Sequence, residues 1–119
     1  MTAGRALDAL VAERVMGYKV VEEKIHDIDN FGDAYVVSKS SIYNYSTSIA
    51  AAWEVVERMR ERKVLVIIND TGGSYRARFF TQQERWRIDE WVARPDEALT
   101  VWAATAPLAI CLAAVKAMS

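Results

Sequence analysis

The chain has 119 residues, of which 52% are hydrophobic and 26% are charged, and this is the composition of a folded domain rather than of a disordered chain. Fifteen Lys and Arg residues against sixteen Asp and Glu residues leave a net charge of -1, which argues against a general nucleic-acid binder. The single cysteine permits no internal disulfide, and no apolar run reaches ~18 residues. We therefore expect one soluble, cytoplasmic domain over residues 1–119, without a signal peptide or a membrane span.

The first half of the chain predicts two amphipathic helices with a poorly defined region between them. Apolar residues at helical spacing predict a helix over 3–16, which Gly17 ends. Charges interrupt the apolar residues that follow, and only 34–37 is typical of a strand. A second helix is predicted to begin after the hydroxyl residues 46–48, which can cap it, and to end near residue 62. Its apolar face is expected to contain Ile49, Ala52, Trp53, Val56 and Met59, with Trp53 as an anchor.

A β-hairpin is predicted in the second half of the chain. The apolar run 64–68 indicates a buried strand, NDTGGS a turn, and 74–81 a second strand with alternating faces. The next residues allow either a short helix opened by Thr81-x-x-Glu84 or a strand around 86–88, and we favour the helix. Its inward residues are then Ile88, Trp91 and Val92. On the second strand, Tyr75, Ala77 and Phe79 are expected on one face, and Arg76, Arg78 and Phe80 on the other.

The C-terminal part predicts a strand over 99–103 and a helix that Thr105 caps. This helix is apolar nearly all round, with Lys116 as its only charge, so we expect it to be buried or to lie at a subunit interface. Its small residues permit close helix approach and suggest a homo-oligomer with this helix as the seam; they are Ala109, Ala113 and Ala114. The order of elements indicates an α+β fold with helices packed on a sheet.

The chain resembles the phage ABA sandwich family of small bacteriophage proteins in three stretches. These are LDALVAERVMGY at 7–18, YSTSIAAAWEVVERM at 45–59 and TAPLAICLAAVKAM at 105–118. The resemblance implies a phage origin and an α+β fold in which an antiparallel sheet of three to four strands lies between layers of helices. Members mostly lack a characterised function, so it implies no catalytic residues. The chain departs from the family between residues 81 and 97, which are rich in Trp and Arg.

The residue types used in catalysis and metal binding occur here without the necessary partners. His26, Asp27 and Asp29 lack the ligand set of structural zinc and the spacing of a calcium loop, so we interpret them as a solvated loop. Cys111 has apolar neighbours and no evident base, and it is expected to act as a small hydrophobic residue. The hydroxyls of 46–48 lack a histidine base. We therefore expect no enzyme, no metal and no cofactor.

Positive charge and aromatic residues concentrate in 58–94, which carries nine basic and five acidic residues. Arginine matches phosphate with two parallel hydrogen bonds, and aromatic faces stack on bases, so the pattern suits a compact nucleotide ligand. A solvated sheet face with ordinary core aromatics explains the same pattern equally well. The candidate ligand-binding residues are Arg76, Arg78, Arg85 and Arg87 for phosphate, Trp86, Tyr43 or Tyr45 for stacking, and Ser46 and Thr47 at a helix start.

These features favour a non-enzymatic phage accessory protein that opposes bacterial immunity by sequestering a small cyclic nucleotide in the cytoplasm of the infected host. The alternative is a protein-binding module that inhibits a host protein, because Trp and Arg dominate the energetics of interfaces. The elements after residue 47 follow the order of a double-stranded-RNA-binding domain. However, the last helix begins without a basic residue, so we expect no long nucleic-acid partner. If the nucleotide hypothesis is right, alanine at Arg76 and Arg78 abolishes binding with little change in Tm.

Overall fold

The secondary structure comes from a computed structural model, which describes residues 2–21, 24–28, 34–41, 44–60, 63–70 and 72–118. The predicted α+β class is confirmed. In chain order, the described elements are α1 (Arg5–Arg14), β1 (Lys19–Val21), β2 (Lys24–Ile28), β3 (Ala34–Ser41), α2 (Ile49–Met59), β4 (Lys63–Asn69), β5 (Tyr75–Thr81), a 3-10 helix (Gln82–Arg87), α3 (Ile88–Ala93), β6 (Val101–Ala103) and α4 (Ala106–Ala117).

The described strands form two antiparallel sheets of three strands each, with orders β1-β2-β3 and β4-β5-β6. The first sheet lies where the sequence predicts only one short strand. His26 pairs with Val36 and Asp27 with Tyr35, so these two residues belong to β2 and not to the predicted loop. Backbone pairing satisfies N–H and C=O groups whichever side chains a strand carries, which is why charges weaken the sequence signal without preventing the strand. Asp29 lies outside the described residues.

The predicted hairpin is confirmed as β4 and β5, which pair from Lys63↔Thr81 to Asn69↔Tyr75. Gly72 and Gly73 have φ values of 99° and 85° in the connecting turn, a conformation that glycine adopts without strain. On its other side β5 pairs with β6, so β5 is the central strand of this sheet. One face of the sheet, here called the inner face, carries Ala77 and Phe79.

The inner face packs mainly against α4, which lies at the centre of the core and also contacts α1 and α2. Because α4 contacts α1, α2 and β5, most of its surface is occupied within the chain. The predicted oligomer seam is therefore wrong as placed, since its alanines pack inside the chain itself. The residues of α4 in the core are Ala109, Ile110, Cys111, Ala113 and Ala114.

Helix α2 presents part of the predicted face to the core: Ala52 and Met59 are buried as predicted, and Val56 packs partly against the core. Val55 is also buried, whereas Ile49 and Trp53 are 56% and 55% exposed. The small residues of α4 bring the two helices close together, and a tryptophan does not fit at such a contact. Trp53 is therefore not the core anchor that the sequence suggests. Ser48 caps the helix, its hydroxyl accepting from the Ala51 N–H.

Residues 82–93, here called the covering segment, fold over the outer face of the β4-β5-β6 sheet. The predicted helix is confirmed, as a 3-10 helix followed by α3, and it completes an arrangement with helices on both faces of this sheet. Trp91 is buried as predicted and meets the Phe80 ring edge-on, with centroids 5.6 Å apart. Val92 is exposed, contrary to the prediction. Within the described part of the chain, no helix combines the length and the apolar character needed to cross a membrane.

Candidate functional site

Arg78 lies on the outer face because residues alternate along β5, and the covering segment buries it to 5% exposure. Its guanidinium donates to a Glu84 carboxylate oxygen at 2.9 Å and lies 4.4 Å from the centroid of the Phe80 ring. The Nε atom of Arg78 is buried and has no hydrogen-bond partner among the described residues. A buried donor without a partner costs free energy, so the position of this nitrogen requires an explanation.

Arg76 connects the same face to the end of the covering segment. Its Nε donates to Asp70 at 3.1 Å, and its terminal nitrogen donates to the Val92 carbonyl at 3.0 Å. The guanidinium carbon also lies 5.3 Å from the centroid of the Trp91 ring. Both predicted phosphate ligands of β5 therefore hold the covering segment on the sheet. For this reason the structure does not support the expectation that their removal leaves Tm unchanged.

A groove of about 290 Å³ opens beside Arg78, and it brings together three of the predicted site residues. This volume is just below the range of about 300–1,000 Å³ for small-molecule sites, so the groove is large enough for one nucleotide unit at most. Two of its arginines, Arg87 and Arg94, make no ion pair with any described residue. The lining consists of Arg78, Trp86, Arg87, Glu90, Trp91, Arg94 and Asp96.

Trp86 is the most exposed large apolar side chain of the described residues, at 71%. The Arg87 guanidinium lies 4.9 Å from its ring centroid, which pairs a stacking surface with a positive charge. Arg94 was not among the predicted ligand residues. Its place in the same arginine-rich stretch is the one sequence feature that could have indicated Arg94. It lines the groove because it directly follows the end of α3 at Ala93.

Glu84 supplies the negative charge behind the groove. The Thr81 N–H donates to its Oε1 at 3.0 Å, and the Glu84 N–H donates to the Thr81 hydroxyl, forming a capping box. The Thr81 backbone N–H is the largest cause that lowers the pKa of Glu84; the Thr81 hydroxyl and the charges of Arg78 and Arg87 lower it further. The carboxylate is therefore ionised at neutral pH and offsets part of the arginine charge.

Four of the remaining predicted site residues do not line the groove. Arg85 is exposed but does not line it, since the 3-10 helix aligns residues three apart and brings Glu84 and Arg87 to one side. Tyr45 and Ser46 are fully buried, and the Ser46 N–H donates to the Asp8 carboxylate at 2.8 Å. Thr47 is exposed on the same loop, away from the arginines that line the groove. We remove these four from the candidate site, and Tyr43 lies outside the described residues.

A larger groove, of about 730 Å³, lies where the C-terminal ends of α1, α2 and α4 meet. The described residues that line it include no aromatic side chain, and their charges are of both signs, so they offer no surface for base stacking. We therefore place the candidate site in the smaller groove. The larger one is lined by Val15, Met16, Glu54, Glu57, Arg58, Met59, Lys63 and Met118.

Cys111 is fully buried in α4. Burial is the main cause that raises its pKa to about 12, and the charge of Asp8 adds to the shift. A thiol in this state is a poor nucleophile. The described residues contain no group of three or more His, Cys, Asp and Glu side chains arranged to hold a metal ion.

Comparison with known proteins gives a family and a structural relative. A crystal structure of a phage protein from Bacillus cereus ATCC 14579 matches with a TM-score of 0.66 and 24% sequence identity, over 98% of this chain and 92% of that one. At this identity the likeness concerns the fold. No curated protein matches. The family model of the phage ABA sandwich domain matches residues 9–115. This chain therefore belongs to the phage ABA sandwich domain family.

Proposed function

We propose that this phage protein binds a small nucleotide without transforming it, in the groove beside the covering segment, and so sequesters a nucleotide signal in the cytoplasm of the infected host. One observation carries the proposal: Trp86 and three arginines, Arg78, Arg87 and Arg94, line the same groove. Phosphate would pair with Arg87 and Arg94, which make no ion pair with a described residue. The base would stack on Trp86, a contact worth about 1–3 kcal/mol.

The charge of the groove limits the ligand. Glu90 and Asp96 also line it, and Glu84 already neutralises Arg78, so the excess of positive charge is small. A ligand with one or two phosphate charges matches this balance better than a polyanion does. The unpartnered Nε of Arg78 adds a third donor if ligand binding displaces the side chains that cover it.

Titration with a panel of cyclic mono- and dinucleotides, followed by native mass spectrometry and tryptophan fluorescence, tests the proposal. We expect saturable binding of at least one nucleotide, and about a tenfold or greater loss of affinity for Trp86→Ala, Arg87→Ala and Arg94→Ala. Arg14→Ala removes an exposed arginine of α1 that does not line the groove, so it is the matched control and leaves affinity unchanged. Binding that Arg14→Ala and Arg87→Ala weaken equally would indicate nonspecific charge attraction and contradict the site.

A second candidate function is a module that binds and inhibits a host protein. The observation that favours it is the exposure of three of the four tryptophans: Trp53, Trp86 and Trp102 are 55%, 71% and 45% exposed. Tryptophan is a typical hot-spot residue of protein interfaces. This candidate is favoured over the first if the protein binds no nucleotide of the panel but co-purifies with one host protein. Trp53→Ala or Trp102→Ala should then abolish the co-purification.

A further inference from the structure

Glu90 and Asp96 line the groove that we propose for a nucleotide, although the phosphate of a nucleotide is itself negative. Both carboxylates share the groove with the arginines that would hold that phosphate, so each lowers the attraction of the groove for an anion. A carboxylate in this place therefore needs either a structural role or a role toward another part of the ligand. The contacts of the two residues separate these roles.

Asp96 has a structural role in the turn that follows α3. Its Oδ1 accepts from the Ala98 N–H at 2.9 Å, and its backbone carbonyl accepts from the N–H groups of Leu99 and Thr100 at 3.3 and 2.9 Å. Aspartate commonly organises turns through bonds from its side chain to the backbone two residues on. The turn therefore accounts for Asp96 without a ligand.

The Glu90 carboxylate has no comparable role. Glu90 is exposed, and its carboxylate makes no hydrogen bond or ion pair with any described residue. Arg87 lies three residues before it and Arg94 four residues after it, spacings at which helical side chains are neighbours, yet neither forms an ion pair with it. Within the described part of the chain, both oxygens of Glu90 are therefore available to a ligand in the groove.

Trp86 and Glu90 lie four residues apart in the covering segment, and both side chains line the groove. The backbone of Arg87 and Ile88 is in the right-handed helical region, so the 3-10 helix continues into α3 without a break. Helical side chains at this spacing lie on one side, about 5–6 Å apart between their Cβ atoms. A base that stacks on the exposed Trp86 ring can therefore present its edge to the Glu90 carboxylate.

We propose that Glu90 selects a guanine base, so that the ligand of this groove is a guanine nucleotide. A carboxylate only accepts hydrogen bonds, through two oxygens that lie side by side. Guanine matches it, because its pairing edge presents a ring N–H beside an amino group. Adenine and cytosine place an amino group beside a ring nitrogen that accepts, and uracil places its ring N–H between two carbonyls. The inference rests on the proposed function, since it concerns the same groove.

The same chemistry predicts the order in which related bases bind. With guanine, both oxygens of Glu90 accept a hydrogen bond. With adenine, one oxygen faces a ring nitrogen that also accepts, so that oxygen loses its water without gaining a donor. Hypoxanthine keeps the ring N–H of guanine and lacks the amino group, so it should bind with intermediate affinity. A good bidentate contact distinguishes one base from another by about tenfold or more.

Calorimetric titration with cyclic GMP, cyclic IMP and cyclic AMP tests the inference, because these probes differ only in the base. We expect the unaltered chain to bind cyclic GMP about tenfold or more tightly than cyclic AMP, with cyclic IMP between them. Glu90→Gln should weaken cyclic GMP binding by about tenfold and strengthen cyclic AMP binding, since it removes a negative charge near the phosphate. A merely structural role of Glu90 would weaken the binding of both probes.

Asp96→Asn is the matched control, because it removes one negative charge from the same groove and keeps an oxygen that can accept from the Ala98 N–H. It should change the affinity for the three probes by a similar factor and leave their order unchanged. If only dinucleotides bind, cyclic di-GMP and cyclic di-AMP replace the three probes in the same comparison.

The outcomes separate this inference from the proposed function. Equal affinity for the probes, tighter binding of the adenine probe, or a guanine preference that Glu90→Gln leaves intact would overturn the selection by Glu90. The proposed function would stand in each of these cases, since a nucleotide still binds. A chain that binds neither the mononucleotides nor the dinucleotides would overturn both.

Discussion

Arg78 and Glu84 form an ion pair of 2.9 Å that joins the middle of β5 to the covering segment. The same carboxylate accepts from the Thr81 N–H, so it also fixes the point at which β5 becomes the 3-10 helix. The arginine-rich stretch therefore contains two kinds of arginine. Arg76 and Arg78 organise the outer face of the sheet, whereas Arg87 and Arg94 line the groove and have no ion pair with a described residue.

Arg78→Ala is expected to lower the free energy of unfolding by about 1.5–3 kcal/mol, because it removes a charged hydrogen bond and leaves Glu84 without its partner. Arg85→Ala is the matched control, since Arg85 is an exposed arginine on the same 3-10 helix, and its effect should stay within about 0.5 kcal/mol. Urea denaturation measures both. Equal effects of the two variants would show that the Arg78–Glu84 contact does not stabilise the fold.

Glu84→Gln should destabilise the protein in a way that depends on pH. The folded state lowers the pKa of Glu84, first through the Thr81 N–H, so the ionised carboxylate stabilises the fold at pH values above its ordinary pKa of about 4.3. This contribution is lost as pH falls through the lowered pKa. The stability difference between the unaltered chain and Glu84→Gln should therefore be constant near pH 7 and shrink below about pH 4. A stability difference between the two proteins that stays constant down to pH 2 would contradict this role of the Glu84 carboxylate.

Strong local patterns in the sequence predict much of the fold. The hairpin, the capping box at Thr81 and the cap at Thr105 follow from turn and cap residues that act over a few positions. The alternation along β5 also correctly separates the core residues Ala77 and Phe79 from Arg76 and Arg78. These features depend on near neighbours in the chain, and the sequence displays such neighbours directly.

The errors concern contacts between elements that are distant in sequence. Trp53 is exposed because the spacing of α2 and α4 is set by alanines of α4, and this spacing is invisible in α2 alone. Arg76 is bonded to Val92, 16 residues away, so composition cannot show that its guanidinium is already engaged. Tyr45 and Ser46 are buried because α1 packs on their loop, where Asp8 accepts the Ser46 N–H. The site predicted from residue types therefore included side chains that stabilise the fold as well as side chains that are free to contact a ligand.

Trp91→Phe should destabilise the chain, whereas Trp86→Phe should not. The Trp91 indole N–H donates to the Thr100 hydroxyl at 2.6 Å in a buried position, and phenylalanine removes this donor and part of the packed ring. We expect a loss of about 1–3 kcal/mol for Trp91→Phe and less than about 0.5 kcal/mol for the exposed Trp86. Thermal and urea denaturation compare the two. The reverse order would mean that the covering segment does not hold Trp91 as described.

Ser46→Ala should affect folding and leave nucleotide binding unchanged. The Ser46 hydroxyl accepts from the Gly4 N–H at 3.0 Å, which ties the start of α1 to the loop before α2. Removing this acceptor should cost about 1–3 kcal/mol, while Thr47→Ala, at an exposed hydroxyl next to it, should cost less than about 0.5 kcal/mol. Denaturation and the nucleotide titration are both measured. Weaker nucleotide binding by stably folded Ser46→Ala would return this residue to the binding site.

Cys111 should react with a thiol reagent only when the chain unfolds. Its burial raises the pKa to about 12, so at pH 8 the thiolate that attacks the reagent is almost absent and the sulfur is also inaccessible. We expect slow labelling of the native chain, measured by mass spectrometry. The labelling rate should rise through the urea transition in parallel with the loss of structure. The Cys111 side chain lies in the core between α4 and its neighbours. Cys111→Ser should therefore destabilise the protein more than Cys111→Ala does, because a hydroxyl is costlier to bury than a methyl group. Rapid labelling in the absence of urea would show instead that α4 opens readily, and the central place of this helix in the core would then need revision.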